Sequence, residues 1–232
     1  MSIPIPRQHI EKEIVKYSTS IKRKRKRTDE PPKKIITISR QLGSGGRKIA
    51  EEVGKKLNCT VWDREILDVL SNQSQWDYQA RMFEALDEKS QNAIEALIAE
   101  FFGRVEKHTY MYLLPKAIYV IAQNDAIILG RGAHVLLSDS FRVRIKASLE
   151  TRIYNMMRHE GLDEKKAKAQ IKKIDRQRDD FCKQLSKKTG VKDYVSRFDL
   201  EINTDKYDIK DATSIIMHGF ALYYHALKRS RK

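Results

Sequence analysis

A β-branched run, Ile35-Ile36-Thr37-Ile38-Ser39, leads within four residues to the glycine-rich turn Gly43-Ser44-Gly45-Gly46, and apolar residues at helical spacing follow at Ile49, Ala50, Val53 and Leu57. A short apolar run of this kind suits a central parallel strand buried on both faces. Strand, glycine turn and helix in that order form a cradle for an anion. Glycines let the backbone approach oxyanions and turn its N–H groups inward, and the helix adds free N–H groups and the positive end of its dipole. Arg47 and Lys48 fall in the first turn of that helix, where cations oppose the dipole and cost stability unless an anion is bound. The same pattern also serves as an ordinary tight turn, so the glycines alone leave both readings open.

The rest of the chain alternates. Thr60-Val61-Trp62 predicts a short second strand, Ala126 to Leu129 a third that ends in Gly130-Arg131-Gly132, Arg142 to Ala147 a fourth, and Leu200 to Asn203 a last. Residues 64 to about 124 read as helices, with Ile94, Leu97, Ile98, Phe101 and Phe102 at helical spacing, then Leu114, Ile118 and Ile121. Residues 150 to about 188 read as a strongly charged helical stretch, and 211 to 227 as a closing helix with Ile215, Ile216, Phe220 and Tyr223 on its apolar side. Strands alternating with helices predict an α/β fold whose parallel sheet is covered on both faces. Ligands on such sheets bind beyond the carboxyl ends of the strands.

The formal net charge of +15 points to polyanionic partners: nucleotides, nucleic acid or an anionic membrane surface. Much of it lies in residues 1 to about 34, where Lys22-Arg23-Lys24-Arg25-Lys26-Arg27 repel one another and predict a mobile arm. Nucleic acid, an acidic surface and an import receptor are its candidate partners; a solvated tail with no dedicated partner is the alternative. Cys59 and Cys182 match no metal spacing and read as reduced thiols of a cytoplasmic protein. The six histidines form no metal pattern: His108, His134, His159 and His218 read as structural or surface residues, and Trp62 and Trp76 as packing. Arg7, Glu11 and Glu13 interrupt any signal-peptide core, and no run approaches the roughly 20 apolar residues of a membrane helix.

The turn departs from the rule G-x-x-x-x-G-K-[ST]. In the helix register that Ile49-Ala50 suggests, Gly46 takes the lysine position and Lys48 the hydroxyl position that normally holds Mg²⁺. Arg40, Arg47 and Lys48 are the candidates for the missing cation, and Ser39 and Ser44 the candidates to reach a metal.

The blocks Ile38-Ser39-Arg40-Gln41-Leu42-Gly43-Ser44-Gly45-Gly46-Arg47, Trp62-Asp63-Arg64-Glu65-Ile66-Leu67, Ile128-Leu129-Gly130-Arg131-Gly132-Ala133, Ile145-Lys146-Ala147-Ser148 and Ile202-Asn203-Thr204-Asp205, with the helical region carrying Asp175 and Arg178, resemble the cytidylate kinase-like family of bacterial proteins. The resemblance covers about residues 35 to 227, and the family's glycine turn commonly lacks the standard lysine too. It implies a P-loop NTPase fold over 35–232: a five-stranded parallel sheet flanked by helices, a helical nucleoside-monophosphate-binding insert over 64–124 and a helical lid over 150–190. It also implies transfer of the ATP γ-phosphoryl group, with Mg²⁺, to CMP or dCMP.

On that resemblance the turn residues Ser39, Arg40, Gln41, Gly43, Ser44, Gly45, Gly46, Arg47 and Lys48 bind the nucleotide phosphates, Asp63 and Arg64 lie near the acceptor, and Arg131 holds the acceptor phosphate. Arg176 and Arg178, ahead of Arg152 and then Arg158, close over the transferring group, and Asp175 pairs with Arg178 on one helical face. The plainer readings are a surface-turn arginine at Arg131, a helix N-cap at Asp63 and solvated charges over 150–188. Three functions stay open: a nucleoside-monophosphate kinase, a catalytically weak nucleotide- or nucleic-acid-binding regulatory module, and a kinase for another small phosphate acceptor.

Overall fold

The computed structural model describes residues 32–63, 76–103 and 109–230, together with Lys12, Leu67, Asp68 and Leu70. The basic run Lys22–Arg27, Arg64 and His108 lie outside the described residues. Five strands form one sheet: β1 (Ile35–Arg40), β2 (Val61–Trp62), β3 (Ala126–Leu129), β4 (Phe141–Lys146) and β5 (Leu200–Asn203), in the order β2-β3-β1-β4-β5. Parallel registers pair Ile38 of β1 with Val143 of β4 and Ile145 of β4 with Ile202 of β5. On the other side the amides of Ala126 and Gly130 donate to the carbonyls of Lys34 and Ile38 at 3.0 and 2.9 Å. The two numberings rise together, so β3 is parallel as well. With a glycine turn after its central strand, this all-parallel sheet has the P-loop NTPase fold.

The position of β1 explains its composition. It has a strand neighbour on each side, and Ile36, Thr37 and Ile38 are all buried, so the sequence shows no alternation. β4 does alternate. Phe141, Val143 and Ile145 enter the core, while Arg142 and Arg144 stand half-buried on the other face. Helix α1 (Gly46–Leu57) buries Ile49, Ala50 and Val53 in the same cluster as Ile36, Ile38 and Val143. Ala212, Ile216 and Phe220 of the closing helix (Ile209–Ser230) complete it.

The chain divides into two compact units, one carrying Ile36–Val61 and Ile127–Lys232, the other Trp62–Ala126 and the residues ahead of Ile36. In the second, helices α2 (Trp76–Glu84), α3 (Glu88–Phe102) and α4 (Tyr110–Ile121) pack together. Ile94, Ile98 and Phe102 are buried, and Leu97 and Phe101 half-buried. α4 is buried from Tyr112 through Ile121, Lys116 included. That ammonium is accommodated by an ion pair with Glu95 and by the face of the Phe83 ring, 4.2 Å from its centroid. Trp62 is buried, as its packing role requires.

In the first unit a short helix α5 (Ala133–Leu136), absent from the sequence reading, follows β3. The charged helical stretch over 150–188 consists of two helices, α6 (Leu149–Glu160) and α7 (Glu164–Thr189). Gly161 ends α6 in the left-handed region, its amide returning to Met157, and the Asp163 carboxylate starts α7 by accepting the Lys166 amide at 2.8 Å. The closing helix, now α8, extends past both predicted ends. Among the described residues no helix is long and apolar enough to cross a membrane.

Ile38 contributes to the core from the strand that leads into the glycine turn. Ile38→Ala leaves a cavity at a fully buried site, and we expect a loss of about 2–5 kcal/mol by urea unfolding. A loss within error of zero contradicts the central placement of β1.

Candidate functional site

The turn after β1 is held from behind. Its carbonyls are taken one after another: Arg40 O accepts from Arg178 Nη1 at 2.8 Å, Gln41 O from Ser44 Oγ at 2.9 Å, Leu42 O from Arg152 Nε at 2.8 Å, Gly43 O from Asn155 Nδ2 at 2.8 Å, Ser44 O from Thr204 Oγ1 at 3.1 Å and Gly45 O from the Ile49 amide at 3.2 Å. Across a trans peptide the carbonyl of one residue and the amide of the next point in opposite directions. Carbonyls fixed at Leu42, Ser44 and Gly45 therefore aim the amides of Gly43, Gly45 and Gly46 the other way, and none of the three has an acceptor among the described residues. Gly45, with φ of 76°, is the N-cap of α1, so these amides merge with the positive end of that helix.

Arg152, Asp175 and Arg178 build the support. Arg152 is 5% exposed and pairs with Asp175. The Asp175 carboxylate also accepts the Leu42 amide at 3.0 Å and lies 3.8 Å from Arg178 Nη1. The expected Asp175–Arg178 pairing on one helical face is present. Gly43 must be glycine for two reasons: its φ is 82°, and a Cβ there would lie 2.7 Å from the Arg152 carbonyl oxygen.

Other expected residues are placed differently. Arg176 pairs with Asp180 at 3.7 Å with its side chain 82% exposed, away from this support. Arg158 is exposed at the end of α6. Arg47 pairs with Glu51 along the outside of α1 at 3.5 Å, and Lys48 is exposed. The Ser44 hydroxyl is buried and donates inward to Gln41 O and Ile145 O, which removes it as a candidate to reach a metal. Gln41 extends the β1–β4 pairing: its amide donates to Ile145 O and its Oε1 accepts the Ala147 amide at 3.0 Å. Gly45 as N-cap and Gly46 first in α1 keep Gly46 at the lysine position of the rule; the hydroxyl position follows it directly and falls on Arg47, not Lys48.

Beside this turn, at the end of β3, Gly130, Arg131 and Gly132 all have positive φ, 84°, 49° and 66°. The two glycines adopt it freely, so the cost falls on Arg131, a side-chain residue in a conformation of the kind found at ligand sites. The half-buried Arg131 is thereby fixed at the carboxyl edge of the sheet. Three residues on, buried His134 meets Ser39 near the end of β1, Nδ1 to Oγ 3.1 Å, and stacks on Phe198 with centroids 4.8 Å apart. Burial pushes His134 down to about 4; a backbone hydrogen bond with Tyr194 opposes this, while the charges of Arg144, Arg142 and Arg197 add to it. The neutral ring has one donor and one acceptor. The direction of the His134–Ser39 bond follows the tautomer of the ring.

Asn155 and Thr204 went unassigned in the sequence because their partners lie 112 and 160 residues away; His134, read there as a structural or surface residue, is buried against a partner 95 residues away. Among the described residues no three His, Cys, Asp or Glu side chains group to hold a metal ion. Asp63 is buried in the other unit, and its carbonyl accepts the Leu67 amide at 3.0 Å, as at the start of a helical turn.

A family model described as the cytidylate kinase-like family matches residues 35–206. Among solved structures, an uncharacterized protein from Eubacterium ventriosum ATCC 27560 aligns at 23% identity with a TM-score of 0.55, over 82% of this chain and 99% of that one. This likeness shows a shared fold. Shikimate kinase from Bacteroides thetaiotaomicron aligns at 15% identity and a TM-score of 0.41 over 80% of this chain and 96% of its own. TT1252 from Thermus thermophilus gives 17% and 0.42, over 82% and 98%. A comparison with curated proteins finds no match.

The neutral His134 carries a pH signature. Its folded value of about 4 lies below its unfolded value of 6.5, so the unfolded chain takes up a proton first as pH falls. Stability from this group is complete above about pH 6.5, declines towards pH 4 and is level below that. In urea titrations at stepped pH, His134→Gln removes the decline in this window and leaves the carboxylate losses at lower pH. Equal slopes in variant and parent contradict the assignment.

Proposed function

We propose, from the premise that the chain belongs to the cytidylate kinase-like family, that it transfers the γ-phosphoryl group of ATP to a nucleoside monophosphate, CMP or dCMP. Family and fold support a nucleotide kinase-like role; the acceptor, Mg²⁺ and the named site residues belong to the proposal. The observation that carries it is the turn from Arg40 to Gly46, whose carbonyls are engaged from behind and whose glycine amides face the opposite side. A row of oriented amides at a helix N-terminus is a preorganised oxyanion site.

In this reading the amides of Gly43, Gly45 and Gly46 hold the donor phosphates, and Arg131, beyond β3, holds the acceptor phosphate. A guanidinium suits that task because its planar fork binds phosphate in a bidentate way and keeps its charge. Arg152, Asp175 and Arg178 position the turn. Arg176, Arg158, Arg47 and Lys48 surround the site as exposed cations that draw in a polyanion. Ser39 is the protein hydroxyl we assign to a Mg²⁺ bound with the nucleotide, which would neutralise charge on the phosphates. The helices over 64–124 act as the acceptor-binding insert, with Asp63 and Arg64 at its start, and those over 150–190 as the lid. The protein works in the cytoplasm, and Lys22–Arg27 engages nucleic acid or another acidic surface with steep salt dependence.

Gly46 in the lysine position favours a second reading, a catalytically weak nucleotide- or nucleic-acid-binding module. A kinase for another small phosphate acceptor is the third. ADP release measured across a panel of nucleoside monophosphates separates them: CMP or dCMP turnover supports the first, ATP binding without turnover the second, and turnover of some other acceptor the third. Arg131→Ala should lower turnover by about 10²-fold or more with the melting temperature retained. Unchanged turnover rejects Arg131 as the acceptor-phosphate residue.

A further inference from the structure

We propose that Arg40 supplies the phosphate-binding cation that a lysine at position 46 supplies in the standard motif; this rests on the turn being a nucleotide-phosphate site. The rule G-x-x-x-x-G-K-[ST], set in register by Gly45 as N-cap and Gly46 as first residue of α1, places Arg40 on the first glycine and Gly46 on the lysine. Glycine and cation have exchanged ends of the turn.

The geometry gives a reason for the exchange. A Cβ on Gly46 would lie 2.6 Å from the Cβ of Arg40 and 3.1 Å from its Cγ. Cβ atoms are fixed by the backbone and cannot rotate away, so a side chain fits at position 40 or at position 46 but not at both. The standard motif leaves 40 bare and puts the cation on 46; this chain does the reverse.

From the end of β1 the Arg40 side chain runs to the end of β3. There Nη1 donates to the Leu129 carbonyl at 3.3 Å and lies where a Cβ on Gly130 would fall. Its stem touches the first residue of α1 and its guanidinium lies against the Gly130–Gly132 turn. It therefore spans the two turns that hold the donor and acceptor phosphates, and a γ-phosphoryl group passes between them. The other cations are placed for other tasks. Arg47 lies beside Glu51 on the outside of α1, Lys48 is exposed, and Arg152 and Arg178 donate to carbonyls behind the turn. Arg40 also sits on the last residue of a central strand, a rigid mount for a group that must be preorganised.

The test uses the full chain with ATP and AMP as probes, by calorimetric titration. Arg40→Met keeps the stem and removes the charge. We expect ATP affinity to fall at least about tenfold, AMP affinity to hold, and the melting temperature to stay close to the parent. The double variant Arg40→Gly, Gly46→Lys restores the standard pattern and should recover ATP affinity, while Gly46→Lys alone should lose stability. Unchanged ATP affinity in folded Arg40→Met overturns the proposal. So does a Gly46→Lys protein as stable as the parent. If Arg40→Met does not fold, the double variant decides: a folded double variant that fails to bind ATP overturns the exchange. A parent protein that binds no ATP sinks the phosphate reading of the turn itself, a different failure from either.

Discussion

The site depends on donors from behind reaching the carbonyls of a six-residue turn. A glycine-rich loop in isolation has no reason to face its amides one way, because each peptide can flip at little cost where glycine removes the steric penalty. Here Arg178, Arg152, Asn155 and Thr204 each hold one carbonyl, and Asp175 holds the Leu42 amide. Two of the donors are charged, which makes their hydrogen bonds stronger than neutral ones. Asp175, with Arg152 buried beside it, offsets part of the cost of drawing guanidinium groups out of water. The orientation of the amides is thus settled before any ligand arrives, the condition under which electrostatic stabilisation costs no reorganisation.

That arrangement gives the arginines distinct tasks. Arg152 and Arg178 are spent on backbone carbonyls, Arg131 is held in a strained turn, and Arg40 crosses from one glycine turn to the other. The face of β4 away from the core carries another positive group. Arg142 is fixed by a two-point bond to Asp199, and Arg144 lies over the Phe198 ring on which His134 stacks. These charges help keep His134 neutral, and the neutral ring is hydrogen-bonded to Ser39. Electrostatics on one face of the sheet therefore fix a hydroxyl at its carboxyl edge.

The strands were legible because burial on both faces leaves a compositional mark: β1 and β3 are continuous apolar runs, and the glycines after each announce its turn. The break between α6 and α7 carried its own signals, Gly161 as a left-handed cap and Asp163 three residues before Lys166. The density of lysines on either side hid them. The arginine roles were legible in part. On α7 the buried residues Ala167, Ile171 and Leu185 mark one stripe at helical spacing, and Asp175 and Arg178 fall on it while Arg176 falls off it. On α6 Arg152 shares its face with Met156, four residues away. A charged residue on an apolar stripe is a buried charge with a partner, and that rule separates Arg152 and Arg178 from Arg176 without a structure. No local rule finds Ser39–His134 or Ser44–Thr204, since the sheet alone brings those residues together.

The support also divides the region over 150–190 into parts with different freedom. Near Arg152, Asn155, Asp175 and Arg178 the two helices are bonded to the turn, and moving them would strip the turn of its carbonyl and amide partners together. Gly161 lies nine residues beyond Arg152, about 13 Å along a helix, and the residues around it, Arg158 and Glu160 to Glu164, are largely exposed. In the proposed kinase reading, closure over a bound nucleotide is therefore assigned to this far tip and not to the helices as a whole. An arginine that acts in closure belongs at the tip or on the outer side of α7, as Arg158 and Arg176 do. Those on the buried stripe keep the glycine turn in shape.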